Sequence, residues 1–230
     1  MNTKEQQEEP LLQVALDFIK LEEALTVAEK VAPFVDILEA GTPLIKSEGI
    51  QVVKTLKKLF PDKLICADLK TTDAGYLEAK IAAQSKADII TVLADAYNVT
   101  IQETLHAAHD YNIKVMADLI VSRRPIKRLA EIIDLEFEGI KIHYALVHSG
   151  LDRQASRHKP LSDLKSVAEL MNHPPLAIAG GIQVSDIATI LQYPLKIIIV
   201  GGAITRAKDP RLTAETFRRK ISNTGRSAVK

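Results

Sequence analysis

Short apolar segments of strand length recur eight times along the chain, and segments with helical spacing separate them. The apolar segments, which are rich in Val and Ile, span residues 11–18, 35–42, 64–70, 87–94, 114–121, 141–150, 176–182 and 196–204. Near-continuous apolarity over this length is typical of parallel strands that are buried on both faces. Eight strand–helix units in one uninterrupted series predict a (β/α)8 barrel, an α/β fold of one domain.

The segments between the predicted strands carry the apolar spacing of helices that pack one face on a core. In the first of them Leu21, Ala24 and Ala28 form one stripe, and Pro33 follows where this helix is expected to end. The last helix is predicted at residues 213–221. We expect the barrel to span residues 11–221, with polar tails at residues 1–10 and 222–230.

An open doubly wound sheet is the alternative arrangement of alternating strands and helices. Such sheets usually carry a glycine-rich phosphate loop after the first strand. Here the first strand ends at Asp17, and residues 11–18 contain no glycine. The barrel is therefore favoured over the open sheet.

The composition argues against several kinds of partner and site. The 230-residue chain has a formal net charge of +1, 4% aromatic residues and no Trp, whereas nucleic acids and anionic membranes attract proteins with a net basic field. The single cysteine, Cys66, excludes an intrachain disulfide and a cysteine-cluster zinc site. No apolar run approaches the ~18 residues of a membrane span, and no apolar leader opens the chain. We therefore expect a cytoplasmic protein that binds neither nucleic acid nor membrane.

Polar residues collect at the predicted C-terminal ends of the strands, where barrels of this kind carry their active sites. They are Asp17, Glu39, Asp68, Lys70, Asp118, His148, Gly180, Gly181, Gly201 and Gly202. Asp68 and Lys70 are two positions apart, so both should face the same side of their strand, and Asp73 follows on the loop. A structural ion pair is the alternative interpretation. However, burying a charged pair in an apolar strand carries a desolvation cost. Such pairs therefore occur mainly where neighbouring groups compensate the charges or where the charges serve a function.

These residue types indicate two ligands. Loops after strands seven and eight of such barrels often bind phosphate through backbone N–H groups, which the two glycine pairs would allow, although tight turns alone would also explain them. Glu39 and Asp68 would hold Mg²⁺, which accepts one or two carboxylates and keeps water ligands. The ion and Lys70 would stabilise an enediolate, and His148 would move a proton or contact a substrate hydroxyl.

Several motifs carry a resemblance to a known family. They lie at residues 12–17 (LQVALD), 39–43 (EAGTP) and 67–75 (ADLKTTDAG), with an Asp-x-Lys-x-x-Asp signature at Asp68, Lys70 and Asp73, and further matches lie at residues 147–154, 177–182 and 199–202. The chain resembles the 3-hexulose-6-phosphate synthase / 3-keto-L-gulonate-6-phosphate decarboxylase family of the orotidine-5′-monophosphate decarboxylase superfamily. The resemblance covers residues 11–220.

The resemblance implies a role for each matching residue. Glu39 and Asp68 would ligate Mg²⁺, and Lys70 would stabilise the enediolate. The other roles would be a hydroxyl contact for Asp17, a polar substrate contact for Asp118, a proton carrier or hydroxyl contact for His148, and phosphate binding for Gly180, Gly181, Gly201 and Gly202. Asp73 would reach the neighbouring subunit's site, because members of the family are homodimers with shared active sites.

Three positions separate the branches of this family. Orotidine decarboxylases typically have a lysine where this chain has Glu39. The gulonate decarboxylases have an arginine where it has Leu151, and tend to have a glutamate where it has Asp118. The resemblance therefore implies Mg²⁺-dependent addition of formaldehyde to the phosphorylated ketose D-ribulose 5-phosphate, or its reverse. Decarboxylation of 3-keto-L-gulonate 6-phosphate is one alternative, and a barrel that binds a sugar phosphate without turnover is another.

Some segments depart from the family pattern. Tyr76 follows Gly75 where the synthases usually have a second glycine, and residues 123–142 fit the family poorly. Arg123 and Arg124 lie either in a solvated loop or at an anion contact, and the sequence leaves both readings open. The loop from Arg153 to Lys159 is unusually basic. These departures bear on substrate choice rather than on the fold.

Overall fold

Eight parallel strands close into a barrel in the computed structural model, which describes residues 9–150 and 160–227. The strands, numbered along the chain with a short antiparallel hairpin as β6 and β7, are β1 (Leu11–Leu16), β2 (Ile37–Ala40), β3 (Leu64–Thr71), β4 (Ile89–Leu93), β5 (Lys114–Asp118), β6 (Glu136–Phe137), β7 (Ile140–Lys141), β8 (Tyr144–His148), β9 (Leu176–Ala179) and β10 (Leu195–Val200). Closure is complete because β1 pairs with β2 on one side and with β10 on the other. The predicted (β/α)8 barrel is confirmed.

Helices surround the barrel and follow its strands. They are α1 (Leu21–Val31), α2 (Thr42–Glu48), α3 (Gln51–Leu59), α4 (Gly75–Gln84), α5 (Asn98–Tyr111), α6 (Pro125–Ile132), α7 (Leu161–Ala168), α8 (Ile187–Ile190), α9 (Gly202–Thr205) and α10 (Pro210–Ser227). Their apolar stripes pack on the outer face of the strands; in α1 the buried residues are Ala24, Val27, Ala28 and Val31. No helix in the described part of the chain combines the length and apolarity needed to cross a membrane.

The strands bury both of their faces, which explains their near-continuous apolarity. One face packs under the helices. The other fills the interior of the barrel with the buried side chains of Ala15, Ile37, Cys66, Ile89, Met116, Tyr144, Leu146, Ala177, Ala179, Ile197 and Ile199. This interior layer closes the barrel below the C-terminal ends of the strands, so a ligand has room only at that mouth.

The pairing of β3 with β4 contains an irregularity that shapes the mouth. Ala67 lies opposite Ile90, and the next paired residue of β3, Thr71, lies opposite Val92. Three residues of β3, Asp68–Lys70, therefore face a single residue of β4, Thr91. A bulge of this kind re-aims side chains next to active sites.

Two parts of the chain differ from the prediction. The sixth barrel strand begins at Tyr144 rather than at residue 141, because Lys141 pairs with Glu136 in the hairpin. The last helix, α10, runs over Pro210–Ser227 rather than residues 213–221, so residues 222–227 are helical and not a tail. Helices extend by one backbone hydrogen bond per residue, and polar residues do not end them in the way that proline does. Residues 1–8 and 228–230 of the predicted tails lie outside the described residues.

Candidate functional site

A cavity of about 450 Å³ opens at the C-terminal ends of the strands. Its polar lining consists of Gln13, Asp17, Glu39, Thr42, Asp68, Lys70, Thr91, His148, Gln183 and Arg206, together with the glycines Gly150, Gly180, Gly181, Gly201 and Gly202. The lining residues come from strands and loops that are distant in sequence, and the barrel brings them to one mouth. A volume of this size accommodates a small-molecule ligand.

The ion pair between Asp68 and Lys70 lies at the centre of this lining. The two side chains are in direct contact, and the Asp68 side chain is only 6% exposed. Its Oδ1 accepts a hydrogen bond from the Thr91 hydroxyl (2.8 Å), and its Oδ2 accepts one from the Thr42 hydroxyl (2.7 Å). Burial opposes ionisation of Asp68, but the Lys70 ammonium and these hydroxyls lower the pKa of the carboxyl below its usual value. Asp68 is therefore a fixed carboxylate.

Lys70 is surrounded by carboxylates. Besides Asp68, the Oδ2 atom of Asp118 lies 3.6 Å from its Nζ. Burial disfavours the charged ammonium, yet Asp68, Asp118 and Glu39 together raise the pKa of Lys70 above its usual value. Lys70 thus stays protonated at neutral pH and presents positive charge to the cavity.

Asp118 and His148 form a second polar pair at the mouth. The Nδ1 atom of His148 lies 3.0 Å and 3.1 Å from the two carboxylate oxygens of Asp118, and the peptide N–H of Ile120 donates to Asp118 over 2.9 Å. A carboxylate accepts hydrogen bonds, so Nδ1 carries a hydrogen and donates it to Asp118. The pair can hold an imidazole in one orientation for proton transfer.

The sequence predicts Asp118 as a polar substrate contact, and the structure places it next to the cavity rather than in its lining. Asp118 is fully buried behind His148 and Lys70 and does not line the cavity. Because it ends β5 with its side chain directed into the barrel, neighbouring side chains cover it. Asp118 contacts the two cavity-lining residues Lys70 and His148.

Glu39 and Asp17 add negative charge beside the ion pair. Burial, reinforced by Asp68, raises the pKa of Glu39 well above its usual value, and the same two causes raise the pKa of Asp17. The amide nitrogen of Gln13 donates to Glu39, while its Oε1 atom is buried and has no hydrogen-bond partner among the described residues. The mouth therefore holds more carboxylates than one ammonium can neutralise.

This surplus fits a divalent cation. Mg²⁺ takes one or two protein carboxylates and completes its shell with water and substrate oxygens, and Glu39, Asp68 and the free Gln13 oxygen offer that kind of surroundings. A closed protein cage is not available, since no cluster of three or more His, Cys, Asp or Glu suited to a metal occurs among the described residues. The residues suit an open, hydrated ion rather than a structural metal.

The glycine pairs lie on the other side of the mouth. Gly180 and Gly181 follow β9 with φ angles of +109° and +64°, and a Cβ atom on Gly180 would lie 2.2 Å from the backbone oxygen of Ser149. Only glycine fits there. Gly201 and Gly202 follow β10 and open α9. In the strand order of the barrel, β9 lies directly opposite β3, so these backbones face the ion pair across the cavity.

Arg206 is a site residue that the sequence does not single out. It lines the cavity, and its charge lowers the pKa of Asp17 against the larger effect of burial. Its Nε atom lies 3.7 Å from where a Cβ on Gly202 would stand. Its position four residues after Gly202, one turn along a helix, is the sequence signal that could have placed it here.

The sequence also does not single out three hydroxyl and amide side chains of the cavity, for a different reason. Gln13, Thr42 and Thr91 line the cavity, but isolated polar residues of these types are common in strands and helix starts. Only the register of neighbouring strands shows that Thr91 faces the bulge in β3. No local motif carries that information.

Asp73 is not brought to the cavity of its own chain. It is exposed on the loop between β3 and α4, and its Oδ1 accepts the N–H of Ala74 over 2.8 Å. Arg123 and Arg124 are exposed and do not line the cavity either. Leu151 and the basic loop at residues 153–159 lie outside the described residues.

Comparisons with known proteins identify relatives over most of the chain. The sequence profile of the orotidine 5′-phosphate decarboxylase / HUMPS family matches residues 10–217. The 3-hexulose-6-phosphate synthase of Mycobacterium gastri is 41% identical over 211 residues, which are 92% of this chain and 99% of that protein.

Solved structures show the same architecture. A crystal structure of a 3-hexulose-6-phosphate synthase superposes with a TM-score of 0.85 at 40% identity, covering 92% of this chain and 99% of that one. The 3-keto-L-gulonate-6-phosphate decarboxylase of Vibrio cholerae superposes with a TM-score of 0.81 at 30% identity, covering 94% and 99%. Both reactions considered from the sequence are thus represented among the relatives.

The raised pKa of Glu39 leads to a prediction about stability without divalent cations. A carboxyl whose pKa is higher in the folded state stabilises the fold while protonated, and this contribution is lost as the pH rises through the folded-state pKa. In EDTA, the Glu39→Gln variant should not lose this stability. At pH 8 we expect its free energy of unfolding to exceed that of the wild type by about 1 kcal/mol, or roughly 2–4 °C in Tm.

Thermal melts of both proteins from pH 5 to pH 8 test this, with the exposed Glu29→Gln variant as control. The advantage of Glu39→Gln should shrink as the pH falls, and Glu29→Gln should match the wild type throughout. A Glu39→Gln protein that is less stable at pH 8 than at pH 5, relative to wild type, would contradict the assigned electrostatics.

Proposed function

The chain belongs to the orotidine 5′-phosphate decarboxylase / HUMPS family, and we propose that it is a 3-hexulose-6-phosphate synthase-like aldolase. It is an enzyme, a carbon–carbon lyase, as its relatives are. The proposed reaction adds formaldehyde to D-ribulose 5-phosphate, or runs in reverse. The observation that carries the proposal is the ion pair of Asp68 and Lys70, which faces the cavity with the two glycine pairs on the opposite side.

The chemistry requires stabilisation of negative charge. Loss of a proton from C1 of the ketose gives a 1,2-enediolate. Its C1 forms a bond to the formaldehyde carbon while the π bond of formaldehyde opens, and the formaldehyde oxygen then takes up a proton to become a hydroxyl. Lys70, held charged by its carboxylate neighbours, would lie beside the enediolate oxygens. A preorganised cation in a site of low water content contributes more to such a step than it would in bulk water.

Mg²⁺ is the proposed cofactor, with Glu39 and Asp68 as its protein ligands. When bound, it would supply further positive charge for the substrate oxygens. Gln13 would hold Glu39 in place through the hydrogen bond from its amide nitrogen.

His148 is proposed as the proton carrier. Asp118 fixes its Nδ1, so Nε2 is the atom that faces the cavity and exchanges the proton. Asp17 lines the cavity on the β1 side of the mouth and would contact a substrate hydroxyl there.

The phosphate is assigned to the glycine side of the mouth. Backbone N–H groups of Gly180–Gly181 and Gly201–Gly202 would cradle it, and Arg206 would add a charged contact. Since β9 lies opposite β3, a substrate anchored here would extend its ketose end toward Lys70. This arrangement supports a sugar phosphate as the substrate class.

Decarboxylation of 3-keto-L-gulonate 6-phosphate is the second candidate, favoured by the structural likeness to the Vibrio cholerae decarboxylase. The intermediate of that reaction must be protonated, and an arginine beside the histidine would aid this. This chain has Leu151 at that position, which supports the aldol reaction, where formaldehyde is the electrophile.

A homodimer with shared sites is proposed from the surroundings of Asp73. The N-terminal ends of α4 and α5 lie together, since a Cβ on Gly75 would stand 2.1 Å from the Thr100 carbonyl oxygen. Leu77 and Val99, on the first turns of these helices, are 56% and 62% exposed. An apolar face of this kind beside Asp73 suits a second copy that receives the Asp73 carboxylate.

A paired substrate assay tests the reaction. With Mg²⁺, we expect purified protein to consume formaldehyde with D-ribulose 5-phosphate faster than it releases CO₂ from 3-keto-L-gulonate 6-phosphate. Lys70→Ala should abolish either activity, while the exposed Lys46→Ala control should leave it unchanged. Faster CO₂ release would assign the decarboxylase, and full activity in Lys70→Ala would remove the enediolate chemistry from this site.

Arg206→Ala should weaken binding of the phosphorylated substrate. Loss of a charge-assisted hydrogen bond to phosphate should raise KM by about tenfold and change kcat little, because the contact is the same in ground and transition states. Steady-state kinetics check this, with the exposed neighbour Lys208→Ala as control. Equal KM values for Arg206→Ala and wild type would place the phosphate elsewhere.

Complementation tests the shared site. Lys70→Ala and Asp73→Ala should each be inactive alone. After the two proteins are unfolded together and refolded, half of the dimers would be mixed, each with one intact site, giving about one quarter of wild-type activity. Mixtures that remain inactive, although mixed dimers form, would show that Asp73 does not serve the partner's site.

A further inference from the structure

Thr91 occupies a position that the proposed reaction does not yet use. It is the single residue of β4 that faces the three-residue bulge of β3. It is 2% exposed and lines the cavity floor beside the ion pair. Its hydroxyl therefore lies inside the site and is almost completely buried.

The Thr91 hydroxyl makes two hydrogen bonds with one oxygen atom. It donates to Oδ1 of Asp68 over 2.8 Å and accepts the peptide N–H of Lys70 over 2.9 Å. A hydroxyl can do both at once because it has one hydrogen and two lone pairs. The same atom therefore holds the Asp68 side chain and the Lys70 backbone.

The Lys70 backbone needs such a partner. Its φ angle is +50°, in the left-handed region, which residues with a Cβ adopt at a cost. The bulge also removes the Lys70 N–H from the regular strand pairing. Without the Thr91 hydroxyl, a peptide N–H next to a buried carboxylate would lose its acceptor.

We infer that Thr91 is a positioning residue that holds Lys70 and Asp68 in their reactive arrangement by bridging the bulge between β3 and β4. The left-handed residue and the bulge bring both charged side chains to the cavity. The other contacts of Asp68, with Thr42 and with the Lys70 ammonium, do not reach the Lys70 backbone. The placement of the Lys70 main chain thus depends on Thr91.

The prediction concerns kcat more than KM. Lys70 acts on charge that develops during the reaction. Misplacement of its ammonium therefore reduces stabilisation of the transition state and leaves substrate binding largely unchanged. Thr91→Val removes the hydroxyl at nearly constant shape. We expect kcat to fall by roughly tenfold to a hundredfold, as for small misplacements of catalytic groups, with KM changed by less than about threefold.

Matched variants separate the hydroxyl from packing. Thr91→Ser keeps the hydroxyl and should stay within about threefold of wild-type kcat, whereas Thr91→Ala, which differs from it only by the hydroxyl, should be as defective as Thr91→Val. Thr104→Val is the control: Thr104 is fully buried in α5, and its hydroxyl donates to the Thr100 carbonyl oxygen of the same helix. This variant should keep wild-type kinetics.

A second measurement tests the hydrogen bond between the Lys70 N–H and the Thr91 hydroxyl directly. In protein labelled with ¹⁵N-lysine, the Lys70 amide should exchange with solvent faster in Thr91→Val and Thr91→Ala than in wild type and Thr91→Ser. Wild-type kcat in Thr91→Val, a Thr91→Ser variant as slow as Thr91→Ala, or unchanged Lys70 exchange in all variants would overturn the inference.

The kinetic part rests on the proposed function, and the exchange measurement does not. If the wild type shows neither formaldehyde consumption nor CO₂ release, the proposed function fails, while Lys70 exchange still decides the role of Thr91. If the wild type is active and Thr91→Val is unimpaired, the inference about Thr91 fails and the proposed function stands.

Discussion

The structure of the site depends on how one strand is bent to bring two opposite charges to the same place. In β3, Asp68–Lys70 bulge against the single residue Thr91, and Lys70 takes a left-handed backbone conformation. The result is an ammonium and a carboxylate in contact at the rim of a barrel whose interior is otherwise apolar. In that setting both charges remain because they neutralise each other and because the carboxylate accepts hydrogen bonds from the Thr42 and Thr91 hydroxyls.

The remaining features of the mouth follow from the order of strands around this pair. Glu39 comes from the neighbouring strand β2, so it lies close enough to Asp68 for the two carboxyl groups to repel each other. Asp118 and His148 come from β5 and β8, and the first of them contacts both Lys70 and the imidazole. The glycine turns after β9 and β10 lie across the cavity. A ligand that spans the mouth therefore meets the backbone of the glycine turns at one end and the charged side chains at the other.

The sequence predicted the fold and much of the site, because both depend on patterns that are local. Continuous apolarity marked all eight barrel strands, and charges at their ends marked Asp17, Glu39, Asp68, Lys70 and His148, which all line the cavity. The burial of Asp118 behind His148 could not be read in this way, since it depends on which side chains cover it. Thr91 and Arg206 were missed because their roles come from strand register and from a helical turn beside a glycine pair, respectively.

The two-residue spacing of Asp68 and Lys70 shows how a correct prediction can rest on a different backbone. Regular alternation places such residues on one side of a strand, and both do face the cavity. However, the strand is not regular there, and the left-handed φ at Lys70 determines where its side chain points. Alternation alone contains no information about a bulge, which is set by the pairing with β4.

The central claim is that this ion pair stabilises an enediolate. The direct measurement is the exchange of the C1 hydrogens of D-ribulose 5-phosphate with D₂O, followed by NMR with Mg²⁺ and without formaldehyde. The account predicts that the wild type incorporates deuterium at C1 and that Lys70→Ala does not. Consumption of formaldehyde by a wild type that shows no exchange, or undiminished exchange in Lys70→Ala, would contradict it.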